Sequence, residues 1–362
     1  MLCFGIRRLE RRGFLAPARV RQERNRARSV KMDGLILAIE TSCDETAAAV
    51  TCGRRVLSNC VYTQKEHERF GGVVPEIASR NHVMKLPYIV DGALRSASAG
   101  FGDLSAVAVT DGPGLIGALL AGVSYAKALS YYHSLPLIPV NHIEGHICSL
   151  YISNESLEPP FICLIASGGH THIAVAEGYG KYRLIAKTRD DAAGEAFDKT
   201  ARALGLGYPG GPKLERLARE GTPKYEYTRG FKGEDHLDFT FSGLKTAVIN
   251  QMQNMMQRGE AFDPADIAAS FQKEAVSFLA DNTFEAAKRE GIKKIGVAGG
   301  VSANRALRDA FLERARKEGI TLFLPDAAYS TDNAAMIGCA ASFSKPCADP
   351  LGLNADASKK LF

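Results

Sequence analysis

Leu35-Ile36-Leu37-Ala38-Ile39, then Glu40-Thr41-Ser42-Cys43-Asp44-Glu45-Thr46, then Ala47 to Val50 read as an apolar run, a polar turn and a second apolar run. The shortness and β-branching of the first run predict a buried strand, and the turn leads straight into another. The same order returns at residue 161. Phe161 to Ala166 predicts a strand, Ser167-Gly168-Gly169-His170-Thr171 a small polar turn, and His172 to Ala176 a strand. Two copies of strand, polar turn, strand predict a duplicated fold.

Outward from these repeats, residues 55–62 read as a third strand, and apolar residues from Pro75 to about Ser96 recur at helical spacing, with Pro75 suited to a first helical turn. Ala106 to Val109 predicts a strand, Asp111-Gly112-Pro113-Gly114 a loop, and about Leu115 to Tyr132 a helix. A strand at Leu135 to Val140 precedes a helix-like segment carrying His142 and His146. A third small turn, Ala298-Gly299-Gly300-Val301-Ser302-Ala303-Asn304, follows a strand at Lys294 to Val297 and opens a helix from about Arg305. Strands alternating with helices at this rhythm imply an α/β sheet. Paired lobes whose polar turns face one cleft describe the architecture of actin, Hsp70 and the sugar kinases. Residues 152–159 read as the hinge, residues 32–157 plus 328–362 as lobe I, 158–327 as lobe II, and the last 17 residues as a loosely structured tail.

The net charge of +5 is unevenly spread. Residues 1–31 hold nine Arg and one Lys against Glu10 and Glu23, a charge of +8, so the remainder sums to −3. Net charge of the body is therefore no argument for nucleic acid, although a local basic patch is compatible with it. The first segment has no apolar face and reads as lying outside the fold. One reading is a mitochondrial transit peptide, which would place the protein in the matrix. The preferred one is an upstream extension ahead of a start at Met32, with a cytoplasmic protein. No apolar run approaches the roughly 18 to 20 residues of a membrane-spanning helix. The eight cysteines form no CxxC pair, which favours free thiols in a reducing compartment.

Several residues are candidates for chemistry. Ser167-Gly168-Gly169 lacks bulk, so its backbone N–H groups can approach an anion, and Gly299-Gly300 adds a helix start. Each turn taken alone reads equally well as a tight structural turn. Beside Asp44 at the first strand's end, the two together favour a nucleotide cleft. Neither GxxxxGK[ST] nor a Rossmann GxGxxG after the first strand is present. His142 and His146 share one helical face and can reach one metal ion, or serve as packing residues. Asp332 can supply a third ligand or cap the helix beginning near Asn333. The zinc-protease HExxH needs its Glu directly after the first His, whereas Glu144 lies about 200° around the helix, which disfavours a protease. Asp190 and Asp191 read as a solvated helix start. Asp198 lies deeper in the apolar periodicity and needs a partner, for which ribose hydroxyls are suited. Tyr208-Pro209-Gly210-Gly211-Pro212 reads as a tight loop in which Gly211 admits a close ligand or simply turns the chain.

Taken in order, the motifs resemble one family from about Leu35 to Leu353. They are IETSCDET (39–46), GGVVPEIASR (71–80), GPGLIGALL (112–120), NHIEGH (141–146), SGGHT (167–171), DDAAGEAFDK (190–199), FSGLKT (241–246), AGGVSAN (298–304) and STDNAAMI (330–337). The family is the tRNA N6-adenosine threonylcarbamoyltransferases of the bacterial TsaD type, formerly labelled O-sialoglycoprotein endopeptidases. The resemblance implies an α/β, actin/Hsp70-like (ASKHA) duplicated two-lobed fold with the active site in the interlobe cleft. It implies transfer of threonylcarbamoyl from threonylcarbamoyl-AMP to N6 of the adenosine beside the anticodon, position 37, in tRNAs reading codons that start with A.

By the same motif matching, His142, His146 and Asp332 hold one divalent metal. Ile165, Ala166, Ser167, Gly168, Gly169, Asp198, Gly211 and Asn304 contact the adenylate, in a site that ATP or AMP also fits. Asp44 resembles the family's required acid, with Glu45 beside it. Glu215 stands where many relatives carry Asp. A His2Asp set suits iron or zinc, and also manganese. The implied partners are tRNA, a TsaB-like paralogue and a TsaE-like ATPase for a bacterial member, or a second copy of the chain for a mitochondrial one. The wording of the motifs favours the accessory-protein route. An actin-fold ATPase or phosphotransferase is the alternative.

Overall fold

Side chains alternate across a strand, so a run apolar at every position must be covered on both faces. The structure, a computed structural model, describes residues 34–231 and 235–362, and it meets that demand with two sheets and three helical layers. The basic segment 1–31 lies outside the described residues.

The first sheet contains β1 (Leu35–Glu40), β2 (Glu45–Cys52), β3 (Arg55–Thr63), β4 (Leu104–Gly112) and β5 (Leu137–Asn141), in the order β3-β2-β1-β4-β5. The second contains β6 (Phe161–Ala166), β7 (Thr171–Gly178), β8 (Lys181–Lys187), β9 (Lys294–Ala298) and β10 (Thr321–Phe323), in the order β10-β9-β6-β7-β8. In each, three strands run as an antiparallel meander, and the first of them also pairs in parallel with the fourth, which pairs in parallel with the fifth. Ala38 stands opposite Ala49 and Ala108, as Leu164 stands opposite Ile173 and Val297. The duplication expected from the repeated turns is therefore one of whole-sheet topology.

The inner faces of both sheets join one core. Ile36, Ala38, Ala47, Ala49, Ala106 and Ala108 of the first share it with Phe161, Cys163 and Ile165 of the second. Between them lie helices His142–Ser153 and Ala334–Ala341. The inner alanines let these helices approach closely, and two glycines permit the closest contacts. A Cβ on Gly338 would lie 2.4 Å from Thr51 Oγ1, and one on Gly145 would lie 2.8 Å from Ile337 Cδ1. Outward, Leu37, Ile39, Val107 and Val109 pack on helices Pro75–Ser96 and Ile116–His133. Ile162, Leu164, Ile295 and Val297 pack under helices Ala193–Ala203, Pro264–Glu290 and Arg305–Glu318. Each buried Val, Leu or Ile contributes roughly 1.5–3 kcal/mol, which makes this layering the main stabilising term.

Three details differ from the sequence reading, and residues 152–159, read as the hinge, carry contacts of their own. Gly210–Ala218 is a helix rather than a loop, because Pro209 suits its entry and Asp198 caps it. Asp190 and Asp191 are not simply solvated. Asp190 Oδ1 accepts from Phe241 N at 2.8 Å, and Asp191 pairs with Lys199 at 2.8 Å and Lys245 at 2.7 Å. The 152–159 segment is anchored: Leu157 is buried, and Arg54 donates to the carbonyls of Glu155 and Leu157. The last 17 residues have no regular element but are tied down. Cys347 N donates to Leu137 O, Asp356 N to Asp111 O, and Lys359 Nζ lies 2.6 and 2.7 Å from the two carboxylate oxygens of Asp111.

Among the described residues no helix is long and apolar enough to cross a membrane. Cys148, Cys163 and Cys339 are buried free thiols, as their apolar surroundings predict.

Candidate functional site

Asn141 ends β5, and its Oδ1 accepts from Ile143 N at 2.9 Å. This cap starts the helix at His142, so His142 and His146 sit one turn apart with ring centroids separated by 4.7 Å. At the other side, Asn333 rather than Asp332 caps helix Ala334–Ala341, its Oδ1 accepting from Met336 N at 3.0 Å. Asp332 is thereby left to face the histidines, with Oδ1 3.6 Å from His142 Nε2 and 3.2 Å from His146 Nε2. One ligand atom from each of the three lies within 4.8 Å of the others. Both ring nitrogens of His146 are buried without a hydrogen-bond partner, since the approach to Asp332 lacks hydrogen-bond alignment. Two imidazoles and a carboxylate converging with an orphaned nitrogen fit a divalent cation.

The outer nitrogen of His142 is held as metal-binding imidazoles usually are. Its Nδ1 lies 3.1 Å from Glu40 Oε2 and 3.1 Å from Ser42 Oγ. Burial opposes a charge on His142, but Asp332 and Glu40 outweigh it and push the imidazole up to about 9. Burial alone would raise Glu40 and Asp332, yet His142 holds the first below the usual carboxylate range, and the histidines hold the second well below it.

Asp44 ends the β1–β2 turn and Glu45 opens β2. Burial, followed by the negative charges of Asp332 and Asp44, pushes the Glu45 carboxyl well above its ordinary range. Tyr208, from the second half of the chain, is raised by burial and then by the charges of Asp44, Cys43 and Asp198. His170 follows the SGG turn and is pushed down to about 3 by burial and by His142. The two halves therefore meet at one cleft, and Arg202 closes it on one side by donating to Gly71 O.

The proposed adenylate residues fall into three structural classes. Ile165 and Ala166 are fully buried in β6, so only their backbone can meet a ligand. Gly168, Gly169 and Gly300 have nothing within 4 Å of where a Cβ would stand, and they open onto space. Ser167 is seated on the helix behind it, its carbonyl accepting from Gly194 N at 3.1 Å. Asp198 Oδ1 accepts from Gly210 N at 2.8 Å and Gly211 N at 3.0 Å. Its need for a partner is thus met by a helix start, without requiring ribose. Asn304 Oδ1 caps Leu307 N at 3.0 Å, and Nδ2 donates to Gln272 Oε1 at 2.9 Å. Glu215 accepts from Arg305 N at 3.2 Å, so it shares that helix start with Asn304.

Glu144 points away from the histidines, accepting from Tyr182 OH at 3.3 Å, which leaves no protease-like base at the cluster. Sequence reasoning missed Glu40, Ser42, His170 and Tyr208. Glu40 had a signal, a carboxylate closing a buried run, which needs a charged partner; Tyr208 had none.

The duplicated sheets and the clustered His, His and Asp beside an acid turn define a two-lobed α/β enzyme of the actin/Hsp70-like (ASKHA) class. Its overall fold is shared by the solved structure of T. kodakarensis HypF, at a TM-score of 0.59 and 15% identity over 86% of this chain and 47% of that one. A sequence profile described as TsaD, tRNA N6-adenosine threonylcarbamoyltransferase, matches residues 55–339. Proteins of that name from Clostridium perfringens strain SM101 and Clostridium kluyveri are each 51% identical, over 90% of this chain and 98% and 97% of theirs. The chain belongs to the tRNA N6-adenosine threonylcarbamoyltransferase family and is a transferase of tRNA processing.

Proposed function

We propose that the cleft joins threonylcarbamoyl, delivered as threonylcarbamoyl-AMP, to N6 of adenosine 37 in tRNAs reading codons that start with A. The observation carrying this reading is the convergence of His142, His146 and Asp332 with the Asp44–Glu45 turn and with the open glycine turns of the second sheet.

Adenine N6 is a poor nucleophile, so positioning and charge stabilisation must supply the acceleration. The N6 amine attacks the carbamoyl carbon, the bond to phosphate oxygen breaks, AMP leaves, and the amine's proton passes to Asp44. Backbone N–H groups of Ser167 to Gly169 and of the Gly299–Gly300 turn hold the departing phosphate. Glu215, Asp198, Gly211 and Asn304 line the nucleoside end, which AMP or ATP also fits. His142, His146 and Asp332 would hold one divalent ion, iron or zinc, which when bound would supply Lewis acidity to a phosphate or carbonyl oxygen. Glu40 and Ser42 keep the His142 ring in register.

The lobes divide as 32–157 plus 328–362 and 158–327, and the protein works in the cytoplasm. Its partners are a TsaB-like paralogue and a TsaE-like ATPase. Val83, Met84, Tyr88, Ile116 and Leu120 are exposed on the two outer helices of the first sheet, an apolar face suited to a protein partner. Depleting the protein and measuring tRNA nucleosides by mass spectrometry tests the activity. Threonylcarbamoyladenosine should vanish, and an unchanged level would overturn the reading.

A further inference from the structure

Directly behind the acid turn lies a buried polar network to which the transfer chemistry assigns nothing. His67, His82 and Thr46 are fully buried, and Gln64 and Asn81 nearly so. Such groups carry a large desolvation penalty unless every one is paired. Here the pairing is nearly complete and fixes the proton positions.

The carbonyl of Cys43 can only accept, so His82 Nε2 carries the proton that it donates at 2.8 Å. His82 Nδ1 must then accept, and the Thr46 hydroxyl donates to it at 2.8 Å. Val74 N donates to His67 Nδ1 at 3.3 Å, so His67 Nε2 carries a proton and donates to Gln64 Oε1 at 3.1 Å. Asn81 Nδ2 donates to the same oxygen at 3.1 Å, and Gln64 Nε2 donates to Ala78 O at 3.3 Å. Finally Gln64 N donates to Asp44 O at 3.2 Å. Two consecutive carbonyls of the acid turn, those of Cys43 and Asp44, are therefore gripped from behind. The grip comes from two segments distant in sequence, residues 64–67 and the helix Pro75–Ser96.

We infer that His82 is a positioning residue: through the Cys43 carbonyl, beside the Asp44 carbonyl held by the Gln64 backbone, it fixes where the Asp44 carboxylate meets the incoming amine. This rests on the proposed role of Asp44. A turn held only by its flanking strands can pivot, and a displacement of about 1 Å at a reacting group can cost about a hundredfold in rate.

The test uses the full metal-loaded chain, threonylcarbamoyl-AMP and a tRNA transcript, under conditions in which the wild type turns over. His82→Phe, which fills the space and removes both hydrogen bonds, should slow single-turnover transfer by about tenfold to a hundredfold. AMP affinity and metal content should stay within about twofold, and the melting temperature should fall. His82→Gln keeps a donor of similar reach toward Cys43 O and should restore part of the rate. Thr46→Val, which loses only one hydroxyl, is the milder probe should His82→Phe fail to fold, and it should slow transfer in the same way.

The deciding comparison is with Asp44→Asn. If His82 acts through the acid turn, adding His82→Phe to Asp44→Asn should slow transfer little further, because groups working as a unit are not additive. Losses that multiply, or a foldable His82→Phe and Thr46→Val with normal transfer, overturn the inference. Normal transfer by Asp44→Asn alone would instead sink the proposed role of that acid, and is read separately.

Discussion

His142 stands between two carboxylates, with Nδ1 3.1 Å from Glu40 Oε2 and Nε2 3.6 Å from Asp332 Oδ1. One carboxylate thus orients the ring, while the other faces it across the proposed cation site. His142→Ala or Asp332→Ala should purify folded but metal-depleted and inactive. Glu40→Gln should retain the ion with affinity lowered about 10- to 100-fold. Metal content by emission spectroscopy and chelator competition check both, and wild-type stoichiometry in the alanine variants would remove these residues from the ligand set.

Asp44→Asn preserves shape but neither carries charge nor accepts a proton. It should bind AMP as the wild type does while losing most transfer, which calorimetric binding paired with single-turnover kinetics would show. Near-normal turnover would mean that the acid is structural.

The glycine turns separate packing from ligand access. Gly299 has φ +88°, and a Cβ there would lie 2.4 Å from Ala166 O, so Gly299→Ala should destabilise the fold by about 1–3 kcal/mol from backbone strain, with the clash added. Gly300→Ala meets nothing within 4 Å and should melt near the wild-type temperature while weakening AMP binding. Thermal melts and AMP titration distinguish the two. Unaltered AMP affinity in Gly300→Ala would place the phosphate elsewhere.

His172 is pushed from its ordinary 6.5 down to about 4 by burial, and its Nδ1 is buried without a partner. The unfolded chain takes up this proton near pH 6.5, the folded one only near 4. The stability owed to keeping His172 neutral is therefore whole above pH 6.5 and declines as pH falls to about 4. His172→Phe should shrink the fall in melting temperature between pH 7 and about 4.5, since its proton uptake on unfolding is gone. An identical pH dependence in both proteins would refute this.

The central strands were legible because they are short apolar runs buried on both faces, whereas the edge strands β8 and β10, partly exposed and in β10 only three residues long, carried no such run and were not read. The duplication was legible because the polar turns after Ile39 and Ala166 repeat. His142 and His146 could be paired by local spacing, but Asp332 could be tied to them by resemblance only, since nothing local connects residues so far apart in sequence. The helix at Gly210 was hidden because two glycines after a proline read as a turn; its cap, Asp198, comes from the preceding helix. Asp198 was correctly read as needing partners, but local pattern could not reveal that they are backbone N–H groups. The tail was misjudged because two of its anchors, Cys347 N to Leu137 O and Asp356 N to Asp111 O, are backbone bonds without a side-chain signature, and the third pairs Lys359 with Asp111, far away in sequence.

The return of the chain's end to the first sheet has a consequence for biosynthesis. On the ribosome, β1 to β5 and both histidines emerge early, yet helix Ala334–Ala341, which helps fill the space between the sheets, emerges about 190 residues later. Until then helix His142–Ser153 leaves part of the alanine-lined inner face of the first sheet uncovered, and the nascent chain depends on holding it away from other apolar surfaces. Asp332 arrives with that same helix, so a half-made chain offers two histidines and no carboxylate partner from this set. Closure of the core and assembly of the proposed cation site therefore both wait on the segment that carries Asp332 and helix Ala334–Ala341.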